Sequence, residues 1–222
     1  MKSNKTERDN LGESLVESLG ASDLPDIAVE ASDIALDIAL NDGLLKDIPI
    51  FGWLAKAYST YRSITDRMFL KKVALFLSGV SNASATDREK FKDHLNSEPE
   101  FRKKVGENLL LLIDRHERLE KSYLLGKLMA KVVEGKCSSD VFLRIAAALD
   151  HSTVEDLEAL QRHSQYIKDL PESIQQSLYK SHLLDMEIHA VSVAEPYVNI
   201  SITYKLNSLG EKLLEYALST ES

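Results

Sequence analysis

Val198-Asn-Ile-Ser-Ile-Thr-Tyr-Lys-Leu206 is the stretch that decides the fold class. Val198, Ile200, Ile202, Tyr204 and Leu206 alternate with Asn199, Ser201, Thr203 and Lys205, the period of two that marks a strand with one apolar face. The alternation predicts a strand that buries its even-numbered residues. Its expected partner is Met186–Val193, with the chain reversing at Ala194-Glu195-Pro196. Beyond the strand, Ser208-Leu-Gly-Glu211 has the form of a capping box for a final helix carrying Leu213, Tyr216 and Ala217.

Working outward, the period upstream of the hairpin is helical. Ser138 or Ser139 can cap a helix with Phe142, Ile145, Ala146 and Leu149 on one face; Thr153-Val-Glu-Asp156 starts a second, and Pro171 a third with Ile174, Leu178, Leu183 and Leu184 inward. Further back, a helix over about 118–134 places Leu125, Leu128, Met129 and Val132 on one stripe, and Gly126 within it predicts the close approach of a neighbour. The helix over about 98–116 contains five successive apolar residues, Leu109 to Ile113, which predicts burial on nearly all sides. Thr86-Asp-Arg-Glu89 reads as a capping box for a short helix through Leu95. A long helix over about 53–79 carries Phe69, Val73, Phe76 and Leu77 and stops at Ser78-Gly79; another over 25–41 begins at Pro25 and stops at Gly43. Residues 1–24 read as a loose leader, with Leu11, Leu15, Val16 and Leu19 allowing a short helix.

The expected organisation is therefore mainly α: a helical bundle over 25–136, followed over 137–222 by an α+β module with one β-hairpin. With only nine glycines and five prolines in 222 residues, the chain has too few turn formers for a sandwich or barrel. The single Cys137 permits no intramolecular disulfide, and the first twenty residues lack a basic-then-apolar signal layout. Both features point to a reducing, cytoplasmic setting.

Three helices, a hairpin and a closing helix make the layout of a winged-helix domain, and two segments resemble that superfamily. Leu178-Tyr-Lys-Ser-His-Leu-Leu184 resembles the end of its third helix, and Tyr204-Lys-Leu-Asn-Ser-Leu-Gly210 resembles its Tyr-x-Leu-Thr-x-x-Gly join between wing and last helix. Asn207 stands where that pattern has threonine, and Ser208 can supply the cap. The wider chain resembles a group of uncharacterised bacterial helical proteins through Ile48-Pro-Ile-Phe-Gly52, Asp66-Arg-Met-Phe-Leu-Lys-Lys72, Leu124-Leu-Gly-Lys-Leu128 and Ala146-Ala-Ala-Leu-Asp150. The order of a helical region and a winged-helix-like end is also similar to the abortive-infection alpha family of phage-defence proteins. That resemblance implies phage defence as a setting and transfers no functional residue.

Charge is unevenly distributed. Residues 1–60 are net −6, residues 61–136 net +5 and residues 137–222 net −7. The basic middle can fold against the acidic ends or meet an anion, for which Arg67, Lys71 and Lys72 are the candidate contacts. The acidic C-terminal module is a poor nucleic-acid surface, because duplex binding rests on Lys and Arg neutralising phosphates. Its third helix offers Lys180 and His182 as cations, and Gln175 and Gln176 as base readers.

Residues 44–58 are the most apolar stretch with an exposed look. Pro49 and Gly52 argue against a continuous helix there, and the run is too short to span a bilayer. Ile50, Phe51, Trp53 and Lys56 are the candidate contacts to a membrane surface or a partner; packing of the segment into the core is the expected outcome.

The chain holds no phosphate-binding glycine loop, no Gly-x-Ser-x-Gly, no His-Glu-x-x-His and no paired cysteines. Only His182, Asp185, Glu187 and His189 gather metal-ligand types closely, and mixed polar residues at a helix-to-strand junction are the much commoner source of such a group. No catalytic residue, cofactor or metal site is assigned. The expectation is a non-enzymatic interaction or regulatory protein acting on an unidentified protein partner, with self-association open. A winged-helix DNA regulator and a peripheral membrane effector are the alternatives.

Overall fold

The computed structural model describes residues 5–24, 45, 47–57, 64–192 and 198–219, with side chains at 5–9, 55–57, 64–66, 190–192 and 198–200 outside the description. The helix expected over 25–41 and the reversal at 194–196 lie outside the described residues. The chain is mainly helical with one antiparallel two-stranded hairpin near its C-terminus. It divides into two compact units, Met1–Ser138 and Ser139–Ser222.

In the first unit the described helices are α1 (Lys5–Leu19), α2 (Pro49–Ala57), α3 (Ile64–Val80), α4 (Ala85–Asn96), α5 (Pro99–Arg115) and α6 (Leu119–Val133). The main packing pairs are α3 with α6 and α1 with α5, and α1 also meets α2. Both main pairs cross on glycine. A Cβ at Gly126 would sit 2.0 Å from the Phe76 carbonyl oxygen and 2.9 Å from Gly79 Cα, and one at Gly106 would sit 2.9 Å from Gly12 Cα. Without side chains at these points the backbones touch directly and the flanking Phe76, Leu77, Leu125 and Leu128 bury completely. Gly79 is thus a packing residue inside α3, which runs on to Val80, and it is not the helix stop expected from Ser78-Gly79.

The loose leader expected over 1–24 is corrected over its helical part. Leu15, Val16 and Leu19 are fully buried, because α1 lays its apolar stripe on α5 and α2. Ser18 Oγ accepts a hydrogen bond from the Ile50 amide at 3.0 Å, satisfying one of the free donors at the start of α2. The buried Arg88 guanidinium donates to the carbonyls of Ala83, Ala21 and Ser22, tying the exit of α1 to the start of α4. Its burial pushes its pKa down from the usual arginine value, against the raising effect of Asp23.

Three local readings also change. Pro49 opens α2 and does not break it, since proline fits a first helical turn whose amide has no intrahelical partner. The cap of α4 is Ser84, whose Oγ accepts from Asp87 N, so the box lies two residues before Thr86–Glu89. Leu111 is 53% exposed although its neighbours Leu109 and Ile113 are buried; a helix meeting neighbours on part of its circumference must expose one residue of any five-residue run.

The second unit holds α7 (Ser139–His151), α8 (Val154–Arg162), a 3-10 turn at Ile167–Asp169, α9 (Glu172–Lys180), β1 (Leu184–Ser192), β2 (Val198–Leu206) and α10 (Ser208–Leu213), which widens into a π-type turn through Leu218. Thr153 caps α8 by accepting from Asp156 N. Phe142, Ile145, Leu149, Leu157, Leu160, Leu178 and Leu213 form the core. The cap of α10 is Asn207, not Ser208: its Oδ1 accepts from Leu209 N and Gly210 N, and its Nδ2 donates to the His182 carbonyl. One side chain thereby closes the base of the hairpin and starts the last helix.

Candidate functional site

The hairpin is the feature that departs most from an ordinary core. Its register pairs Leu184 with Leu206, Met186 with Tyr204, Ile188 with Ile202 and Ala190 with Ile200. These pairs share one face, as the alternation requires. Along that face exposure rises away from the helices: Leu184 is 2% exposed, Met186 37% and Ile188 61% on β1, and Ile202 is 52% exposed on β2. The expected burial of the even-numbered residues of β2 is therefore corrected at Ile202. Among the described residues β1 meets α9 and β2 meets the 3-10 turn, and Tyr179 lies against Tyr204 with ring centroids 5.8 Å apart.

The opposite face is polar and self-paired. Lys205 Nζ donates to Glu187 Oε1, and His189 Nε2 lies 3.1 Å from Thr203 Oγ1. The bond from Lys205 and its charge hold the Glu187 carboxyl below the ordinary carboxylate range, and the reciprocal effect raises Lys205. Glu187 is committed to Lys205, and among the described residues no group of three or more His, Cys, Asp or Glu could hold a metal ion. The arrangement thus offers a neighbour one ordered polar face and one uncovered apolar face.

The residues singled out from the sequence fall elsewhere. Ile50 and Phe51 are buried in the α1–α2 packing, with Ile48 and Leu54, so neither is presented to a bilayer or a partner. Trp53 is half-buried and lines a shallow cleft of about 370 Å³ with Pro49, Glu17 and Arg102. The Lys56 side chain lies outside the described residues. Of the candidate anion contacts, Arg67 is exposed, Lys71 is 8% exposed, and Lys72 Nζ donates to the Asp114 carbonyl at 2.9 Å, so the three form no common patch. His116 leaves the end of α5 for the interior, its Nδ1 3.4 Å from Ser122 Oγ. Gln175 and Gln176 are engaged with the Leu170 carbonyl and Glu172 Oε1. No helix among the described residues is long and apolar enough to cross a membrane.

Comparison of the chain with protein-family models, with curated proteins and with solved structures finds no match. Alternation identified the apolar residues of β2, but it could not show that Ile202 stays exposed.

Proposed function

We propose that this protein acts by contact with another protein, as a non-enzymatic interaction or regulatory module whose docking surface is the apolar face of the hairpin. The observation that supports this reading is the uncovered pairing of Ile188 with Ile202, flanked by Met186. A monomer gains nothing from exposing β-branched residues on a strand pair, which invites association. Residues 139–222 carry thirteen Asp and Glu against six Lys and Arg, so two copies docked through this unit repel. A partner with an apolar strip bordered by lysine or arginine complements it better. Phage defence is the setting suggested by the similarity of the helical-then-winged order to the abortive-infection alpha family. A winged-helix DNA regulator has less support, since the glutamines on α9 are already hydrogen-bonded.

The test is the double substitution Ile188→Ser/Ile202→Ser. An uncovered face predicts a change in stability within about 0.5 kcal/mol and loss of the proteins co-purified by the wild type from the native host, with weaker capture at high salt. Sedimentation velocity of the wild type separates a foreign partner from self-association. A variant that unfolds several degrees earlier would show that the face is covered within the chain and would defeat the reading.

A further inference from the structure

A second feature of unit Ser139–Ser222 lies at the root of the hairpin. A cleft of about 910 Å³ opens between one side of α7, the end of α9, the root of β1 and the start of α10. Arg144 and His151 enter it from α7, two turns apart with Ala147 and Ala148 between them, while Lys180 and His182 enter from the end of α9. In a unit with more than twice as many acids as bases, the convergence of an arginine and a lysine on one cleft is unexpected. Neither the Arg144 nor the Lys180 side chain has a hydrogen bond or ion pair among the described residues. His151 Nδ1 lies 2.7 Å from the Ala147 carbonyl, which can only accept, so Nδ1 carries the proton and Nε2 is left to meet a ligand.

His182 strengthens the case. It is the only non-glycine with positive φ (+62°) among the described residues, at a helix end where glycine is the unstrained choice. Its amide donates to Tyr179 O and its carbonyl accepts from Asn207, so the backbone is held and the imidazole is carried to the cleft. Besides the cations, the lining has an apolar floor from Leu184 and Leu209, the half-exposed Tyr179, and a single carboxylate, Asp185, held by Asn207 at 3.4 Å.

We infer that this cleft binds a small phosphorylated ligand of the nucleoside-monophosphate class. Arg144 and Lys180 meet the phosphate, Arg144 by the fork geometry that suits its oxygens. Asp185 accepts from a sugar hydroxyl, and Tyr179 with Leu184 and Leu209 covers the flat base. Two exposed, unpaired cations lining a concave, partly apolar site are too few for a duplex backbone and sufficient for one phosphate group.

The test uses the full chain, titrated with AMP, adenosine and inorganic phosphate, and followed by calorimetry and by amide chemical shifts. AMP is expected to bind saturably below roughly 10 mM, with shifts centred on His182, Asn207 and Ser208. Arg144→Gln and Lys180→Gln are each expected to weaken binding about tenfold, whereas Arg162→Gln, outside the cleft, leaves it unchanged. Thermal unfolding of the variants verifies that they fold, and the location of the shifts in the wild type stands even where a variant does not. Adenosine binding as tightly as AMP, phosphate binding as tightly as AMP, or shifts that survive both substitutions would each overturn the assignment. Displacement of AMP by duplex DNA with a steep salt dependence would overturn it in favour of nucleic acid.

Discussion

Gly126→Ala tests the glycine crossing on which the first unit is built. The added methyl would lie 2.0 Å from the Phe76 carbonyl oxygen and 2.9 Å from Gly79 Cα, where ordinary contact begins at 3.4 Å. Both obstacles are backbone, so no side-chain rotation relieves them, and α3 must withdraw from α6 by roughly 1.4 Å, a gap that forfeits a large part of each contact along the seam. The strain is put at about 4 kcal/mol, above the common range for overpacking because backbone is involved. Alanine returns about 1 kcal/mol of helix propensity, leaving a net loss of about 3 kcal/mol. For a unit of this size that corresponds to a fall in Tm of about 10 °C. Calorimetry of the full chain, with hydrogen exchange of α3 and α6 amides to assign the transition, measures it. Gly135→Ala is the control: φ is +72° and nothing lies within 4 Å of the new atom, so only about 1 kcal/mol of backbone strain applies. If Gly126→Ala melts at or above the wild-type temperature, the crossing is not as close as described and the argument fails.

Arg88→Met should cost about 3 kcal/mol, because it leaves the carbonyls of Ala83, Ala21 and Ser22 without their common donor. Arg88→Lys should not restore stability, since one ammonium cannot span the three acceptors as a guanidinium fork does; exchange rates in α1 and α4 are the readout, and full rescue by lysine would refute the role. Glu187 should titrate below its ordinary value of 4.5 in the folded protein and return toward it in Lys205→Gln. A lowered folded pKa means that the pair supports the hairpin above that ordinary value and loses this support as pH falls through the folded one. NMR titration of the Glu187 carboxyl checks both, and an unmoved pKa in the variant would refute the coupling.

The sequence by itself determined the element types, because periodicity is a local property. The alternation at 198–206 marked a strand, and Thr153-Val-Glu-Asp156 marked a helix start that the structure shows capped. Gly126 likewise announced a close helix contact, although its partner Gly79 read only as a stop. Coverage, in contrast, belongs to the tertiary structure. An apolar stripe specifies which residues can be buried, and only the placement of other elements determines how far along the stripe burial extends. Leu15, Val16 and Leu19 became core because α5 and α2 lie over them, while Ile188 and Ile202 stay exposed among the described residues. The cleft was illegible for the same reason. Arg144 belongs to a helix recognised by its apolar face, and nothing in its neighbourhood in sequence signals that Lys180 and His182 share its cavity. Spacing along the chain carries no information on convergence between α7 and the end of α9, which the packing of Ile145 and Leu149 against the rest of the core sets.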